Sequence, residues 1–206
     1  MTQILQIHPQ DPQSRLIHEI ITILQNDGVI IYPTDSAYAL GCKIGSKTGI
    51  AKIRNIRLLD KNHNFTLVCR DLSAIAQYAM VNNAVFRLLK ASTPGPYTFI
   101  LDATKEVPKM LQHPKKKTIG IRVPDNVIVQ AILAELGEPL MSVTLILPDS
   151  EMPVSSLDDL YEKIDSRIDL VIDGGSCGNQ PTTVIDFTEG APKILREGKG
   201  NIDIFK

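Results

Sequence analysis

The chain has 206 residues, of which 22 are Lys or Arg and 23 are Asp or Glu, for a formal charge of −1. That length can bury a substantial core and fits one domain over 1–206, while the balanced charge gives no global pull toward nucleic acid or a membrane, so any such contact must come from a local patch. Trp is absent and aromatics make up 5% of the chain, so aliphatic side chains must fill the core.

In chain order, Asp11-Pro12 reads as a helix start, with Asp as N-cap and Pro at the first helical position. Leu16, Ile17, Ile20, Ile21 and Leu24 then share one face at helical spacing, and Asp27-Gly28 closes the helix. Val29 to Tyr32 has the composition of a buried strand that must end at Pro33. Ile50 to Leu58 is a second helix and Phe65 to Cys69 a short strand. Leu72 to Met80 and Asn82 to Lys90 form an αα pair, broken sharply by Thr93-Pro94-Gly95-Pro96. Tyr97 to Leu101 and Thr118 to Val123 are strands on either side of a basic stretch ending Lys115-Lys116-Lys117. Val127 to Leu136 is helical and stops at Gly137, and Leu140 to Leu147 is a β-rich run. Pro148 to Ser156 reads as a loop and Leu157 to Ile164 as a helix. Leu170 to Ile172, Thr183 to Phe187 and Lys193 to Leu195 finish as strands. This irregular alternation points to a mixed α/β sheet rather than a regular doubly wound one.

Cys42, Cys69 and Cys177 are odd in number and lack C-x-x-C spacing, which argues against a disulfide framework or structural zinc and for a reducing compartment. His8, His18, His63 and His113 show no metal-ligand spacing, so no protein-held metal is expected. The opening residues lack a charged stretch followed by an apolar run, and no segment reaches membrane-spanning length. The expectation is a cytoplasmic protein with no membrane partner.

Chemistry concentrates first at Gly28 to Gly41, where Thr34, Asp35, Ser36 and Tyr38 crowd just past the strand. Open α/β sheets place ligands at such carboxyl ends; alone, the stretch is equally a turn whose Asp and Ser satisfy their own backbone. Similar stretches follow: Asn55-Ile56-Arg57 with His63-Asn64, Thr118 to Pro124, Met141-Ser142-Val143-Thr144, and Pro181 to Asp186 leading to Leu195-Arg196-Glu197-Gly198. Arg122 alternates with Ile121 and Val123 and points opposite to both, as a ligand-facing residue or as the polar side of a half-exposed strand. Arg196 is ambiguous in the same way. A helical arginine such as Arg57 is ordinarily solvated or ion-paired, contributing under about 1 kcal/mol. Hydroxyls with three separated guanidiniums are nonetheless what a triphosphate needs, through charge-assisted and often bidentate hydrogen bonds. The chain contains no Walker A lysine motif and no strand-linked G-x-G-x-x-G, and Asp173-Gly174-Gly175 is too short for a phosphate loop.

The stretches PTDSAYALG, PGPYTFIL, TIGIRVP, PTTVID and ILREG, in this order, resemble the YrdC/YciO family, more closely its YciO branch, from the first helix to Gly198. The resemblance implies a single-domain, twisted open mixed α/β sheet curved around a basic concave cavity. It also implies ATP, with magnesium carried by the nucleotide, and L-threonine as ligands. YrdC-branch proteins are threonylcarbamoyl-AMP synthases, which condense L-threonine, bicarbonate and ATP toward the threonylcarbamoyl modification of tRNA, and some family members bind double-stranded RNA. Position by position, Thr34 and Arg122 would hold threonine with Thr182 closing that pocket. Arg57, Thr118, Thr144 and Arg196 would lie along the ATP, and Arg57 is the candidate catalytic residue.

The chain departs from the synthase pattern at three places. Asn55 stands where the synthases carry the lysine of Lys-x-Arg, Ile146 where they carry the asparagine of Ser-x-Asn, and Ala39 where the family has glycine. Lys61 and Arg54 are the nearby cations that can stand in for the missing lysine. The alternative is a double-stranded-RNA or tRNA-binding module with little synthase activity, for which Lys115, Lys116 and Lys117 are the contact candidates; a lysine run is otherwise a solvated loop.

Overall fold

The computed structural model describes residues 2–60, 63–147, 150–157 and 166–206. The strands in it are β1 (Gln3–Gln6), β2 (Ile30–Tyr32), β3 (Ala39–Lys43), β4 (Thr66–Val68), β5 (Tyr97–Asp102), β6 (Thr118–Arg122), β7 (Leu140–Thr144), β8 (Leu170–Asp173), β9 (Thr183–Asp186) and β10 (Lys193–Arg196). The helices are α1 (Ser14–Gln25), α2 (Lys47–Arg57), α3 (Leu72–Tyr78), α4 (Asn83–Ser92) and α5 (Val127–Leu136). All ten strands join one sheet in the order β1-β8-β2-β3-β7-β4-β6-β5-β9-β10. Its pairings are mixed: β8 lies parallel between β1 and β2, β3 and β7 run antiparallel, β4 is parallel to β6, and β5 is parallel to β9. The mixed α/β sheet expected from the sequence is present, open-edged at β1 and β10.

Side chains alternate across a strand, and here the two faces meet different environments. On one face, Val29, Ile31, Leu40, Leu67, Phe99, Ile121, Met141 and Ile185 pack into a core closed by α2, α3 and α4. On the other, Ile30, Tyr32, Leu140, Val68, Leu170 and Ile172 are covered by α1 and α5 through Ile17, Ile20, Leu24, Ile128, Val129 and Ile132. Each such side chain, fully buried, stabilises the fold by about 1.5–3 kcal/mol relative to exposure. The α1–α5 cover stops at the ends of β4 and β7. Beyond it the same face carries Thr66, Thr98, Thr118, Gly120, Arg122, Ser142 and Thr144, which line a cavity instead of packing under a helix.

The sheet curls around this open face. Lys199, three residues past β10, donates through Nζ to the main-chain oxygen of Asp35, three residues past β2. Seven inter-strand steps separate β2 from β10 in the sheet, roughly 34 Å along a flat surface at about 4.8 Å per step. A side-chain contact between them requires strong curvature toward the cavity.

One local expectation changes. The first helix begins at Ser14 with Gln13 at its N-cap and no side-chain cap, so Asp11-Pro12 precedes it. The reason is the preceding turn, which is closed by His8, whose Nδ1 accepts from the backbone of Gln10 and Asp11 at 3.3 and 3.0 Å. Strands β1 and β3 were not legible as strands: β1 is an exposed edge without alternation, and β3 reads ALGCK, short of β-branched residues. The helix expected over Leu157 to Ile164 falls almost wholly outside the described residues. Among the described residues, no helix is long and apolar enough to cross a membrane.

Candidate functional site

The cavity on the open face has a volume of about 570 Å³. Its floor is built by the alternation just described, since the even-numbered residues of β4, β5, β6, β7 and β9 other than Val68, Leu140 and Asp102 face it, while their odd-numbered neighbours mostly face the core. Of the residues singled out in the sequence, Arg57, Thr118, Arg122, Thr144, Thr182 and Arg196 all line it, brought together from five separate segments.

Arg122 ends β6 and is 7% exposed. One of its terminal nitrogens donates to Asp35 Oδ1 at 2.6 Å and to Ser36 Oγ at 3.2 Å. The second oxygen of Asp35 accepts from the Asp125 backbone N–H at 3.1 Å, which fixes the carboxylate. Arg122 Nε is buried and has no hydrogen-bond partner among the described residues. A guanidinium in this state has its charge compensated on one side and an unfilled donor on the other.

Thr34 is not in the cavity wall. It is 3% exposed, and its hydroxyl donates to the Ala37 carbonyl at 2.6 Å while accepting from the Ser36 and Ala37 amides, both at 3.2 Å. This is the self-satisfying turn that short hydroxyl residues build. It presents Asp35 and Ser36 to Arg122, so the stretch contributes to the site by holding the arginine rather than by reaching the cavity itself.

Arg196 donates through Nε to the Thr182 carbonyl at 3.0 Å and through a terminal nitrogen to Thr182 Oγ1 at 3.1 Å. Thr182 Oγ1 also bonds Thr98 Oγ1 at 2.8 Å. The close approach needs Gly198, where a Cβ would sit 2.3 Å from the Pro181 oxygen. Burial, and after it the charge of Arg122, pull the Arg196 pKa below its ordinary value. Two guanidiniums thus share this end of the cavity.

Arg57 occupies the opposite rim. It donates through Nε to the Thr144 carbonyl at 2.9 Å and through NH1 to the Ile146 carbonyl at 2.7 Å, and burial lowers its pKa. Asn55, two residues earlier on α2, is exposed and does not line the cavity, as helical geometry places i and i+2 on different faces. Ile146 does line it. Arg54 stacks on the Phe65 ring at 5.2 Å to the centroid and is not in the wall; Lys61 lies outside the described residues. Lys115, Lys116 and Lys117 are all exposed, and of the three only Lys116 lines the cavity.

Several lining residues escaped the sequence reading. Thr66 and Thr98 are single hydroxyls inside apolar strands, and only knowing which face lacks a helix distinguishes them. Ser142 had been noted in its stretch; its Oγ accepts from Tyr32 OH at 2.6 Å, because Gly41 lets the Tyr32 ring cross β3, and burial pushes the Tyr32 phenol up to about 12. His63 also lines the wall; burial, and then the Arg57 charge, hold its imidazole below the usual range.

A family model described as "Telomere recombination", covering Sua5, YciO and YrdC proteins, matches residues 22–198. The chain belongs to the Sua5/YciO/YrdC family. It is similar to YciO of Escherichia coli, with 51% identity over 205 residues and full coverage of both chains. The crystal structure of that protein superposes with a TM-score of 0.95 over 100% of both chains. A protein of Haemophilus influenzae is 52% identical over 202 residues, 98% of each chain. The fold is shared with a more distant protein: the structure of P. abyssi Sua5 complexed with L-threonine matches with a TM-score of 0.87 at 21% identity, over 96% of this chain and 58% of that one.

Two outcomes follow from the site geometry. Removing one member of a buried ion pair leaves an uncompensated charge, so Asp35→Ala should lower stability by about 3–5 kcal/mol, and Asp35→Asn by less. Denaturant unfolding checks this, and an unchanged midpoint for Asp35→Ala would show that the pair does not hold the loop. His63, with its folded pKa lowered, contributes stability above its unfolded value of about 6.5 that is lost as pH falls through the folded value. His63→Asn should therefore flatten the decline of stability below pH 6.5 in a pH series of urea titrations; an unaltered slope would assign that decline to other groups.

Proposed function

We propose that this chain binds ATP and L-threonine together in the open-face cavity, as a threonylcarbamoyl-AMP-synthase-like protein with its phosphate-handling motif reduced. The observation that carries this reading is the pair of guanidiniums at one end: Arg122, nearly buried with Nε unpartnered, and Arg196, whose pKa is depressed partly by Arg122. A buried guanidinium with an unfilled donor and a second, more exposed one lining the same cavity both favour an anionic guest. The fold shared with a Sua5 protein complexed with L-threonine supports an amino acid as one guest.

In this reading Arg122 takes the threonine carboxylate, with Thr182 beside it and the Thr34 turn behind it. Arg57, Thr118, Thr144 and Arg196 lie along the nucleotide. Among the described residues no group of three His, Cys, Asp or Glu side chains is placed to hold a metal, so magnesium would be held by the triphosphate and would share in neutralising it. If the site turns over, the threonine amine is first carboxylated by bicarbonate with loss of water. A carbamate oxygen then bonds to the α-phosphorus as the bond to the pyrophosphate oxygen breaks. Arg57 neutralises the developing charge, but two of its nitrogens already serve the carbonyls of Thr144 and Ile146. Without the synthase lysine and asparagine, a hydrogen bond to charge worth roughly 1.5–3 kcal/mol is missing. Adenylation should be slower by about tenfold to a hundredfold.

Calorimetry with ATP and threonine, apart and together, tests the shared cavity. Mutual enhancement of affinity is expected, because coupling between two ligands is reciprocal, and pyrophosphate release should require both threonine and bicarbonate. Equal ATP consumption with and without threonine would remove the synthase reading.

A second reading, a double-stranded-RNA-binding module, is favoured by the exposure of Lys115, Lys116 and Lys117 and by the place of Lys116 in the cavity wall. Such binding should fall steeply between low and moderate salt. Titration of duplex RNA at two salt concentrations decides it; affinity that is absent or independent of salt ends this alternative.

A further inference from the structure

Among the described residues that line the cavity, Asp186 is the single carboxylate. It ends β9, faces the cavity with Val184, and is 9% exposed. Its Oδ1 accepts two hydrogen bonds from Thr188, from the backbone N–H at 2.9 Å and from Oγ1 at 2.7 Å. Both bonds fall on the same oxygen. Among the described residues, Oδ2 accepts no hydrogen bond and the carboxylate has no ion pair. The available cations are turned elsewhere: Arg196 directs its guanidinium back to Thr182, Arg122 is held by Asp35, and Lys193, paired across from Asp186, is exposed.

With one oxygen bound by Thr188 and the other open to the cavity, the carboxylate is a preplaced acceptor for a ligand's hydrogen-bond donor. The surroundings select which donor. Arg57, Arg122, Arg196 and Lys116 share the cavity, so a cationic donor such as an ammonium meets net positive charge. A neutral hydroxyl does not. Ile100, Leu111 and Leu195 supply apolar surface in the same wall, and Ile100 lies in register with both Asp186 and Gly120. Gly120 leaves the floor open there, since a Cβ would come within 3.2 Å of Thr66 Oγ1. A flat, partly apolar group bearing adjacent hydroxyls fits this combination, and a carboxylate is a common acceptor for a sugar diol.

We infer that Asp186, seated by Thr188, is the acceptor for the ribose hydroxyls of the nucleotide, and so the residue by which the cavity tells a nucleoside triphosphate from a bare polyphosphate. The inference rests on the reading of the cavity as a nucleotide site. It sets the direction of the ligand, with the sugar at the β5–β9 side of the floor and the phosphates toward the arginines.

Isothermal titration calorimetry with three probes, ATP, 2′,3′-dideoxyATP and inorganic tripolyphosphate, tests it on the unmodified chain and on Asp186→Asn. The unmodified chain should bind ATP about tenfold or more tighter than dideoxyATP, the scale of one hydrogen bond to a charged acceptor. Asp186→Asn should weaken ATP by a similar factor, abolish the difference between ATP and dideoxyATP, and leave tripolyphosphate as tight or tighter because a negative charge is gone. Two results overturn the assignment: equal affinity of the unmodified chain for ATP and dideoxyATP, or tightening of ATP and tripolyphosphate alike in the variant, which marks Asp186 as a fixed charge only. ATP binding no tighter than tripolyphosphate to the unmodified chain removes the nucleotide reading and this inference with it. The dideoxyATP comparison needs no variant, so a folding defect in Asp186→Asn would not rescue the idea.

Discussion

The Arg122–Asp35 pair is the constraint on which the rest of the cavity depends. A guanidinium so nearly buried at the end of β6 is tolerable only with a carboxylate against it, and the 2.6 Å contact with Asp35 supplies one. The pair joins elements far apart in the sheet, because Asp35 follows β2 and three strands lie between β2 and β6. The turn must therefore reach over the ends of those strands, and Thr34 makes this possible by closing it internally through its own hydroxyl. Lys199 ties the same turn to the segment after β10. One short loop thus draws the middle and the far edge of the sheet together, and the hollow between them is the cavity.

Curvature alone would give an apolar groove. What makes the hollow polar is the arrest of the α1–α5 cover. Where those helices sit, the face bears Ile30, Tyr32, Val68 and Leu140; past them it turns at once to Thr66, Arg122, Ser142 and Thr144, in the same strands or their neighbours. The change occurs within β4 and β7, where Val68 and Leu140 lie under helices while Thr66 and Ser142, two residues away, face the cavity. Such a boundary is set by helix length and packing rather than by any local propensity.

That boundary also explains what the sequence could and could not reveal. The five motifs of the family were legible, and Thr98, Thr118, Arg122, Thr182 and Arg196 within them converge on one cavity, whereas Thr34 and Thr183 do not line it. The Thr34 stretch was legible equally as a turn and as a ligand-facing loop, since both roles use the same residue types in the same place, and the structure shows the turn. Arg122 and Arg196 were ambiguous because alternation in a strand assigns a residue to a face without saying whether that face is covered. The same limit hid Thr66 and Thr98, and it left Asp186 a bare member of PTTVID. The strands β1 and β3 were missed for a simpler reason: QILQ and ALGCK owe their strand state to their neighbours, β8 for the first and β2 and β7 for the second.

The three arginines are not equivalent, and the difference bears on what the cavity is suited to do. Arg122 is fixed by Asp35 and Ser36 with an unfilled donor, a preorganised state that favours binding of an anion without rearrangement. Arg196 is fixed just as firmly to Thr182, and its neighbour's charge makes it more receptive to an anion still. Arg57, the residue best placed for phosphate chemistry in the proposed reading, has two of its nitrogens engaged by main-chain carbonyls, and Ile146 offers its carbonyl but no side-chain amide. Among the described residues the buried donor left unfilled is therefore on Arg122, where in the proposed reading a carboxylate would rest, and not on Arg57, where charge would develop during nucleotidyl transfer. Interactions equally strong in the bound and transition states improve affinity without speeding the chemical step. In the proposed reading, such a cavity would hold its ligands more effectively than it would convert them.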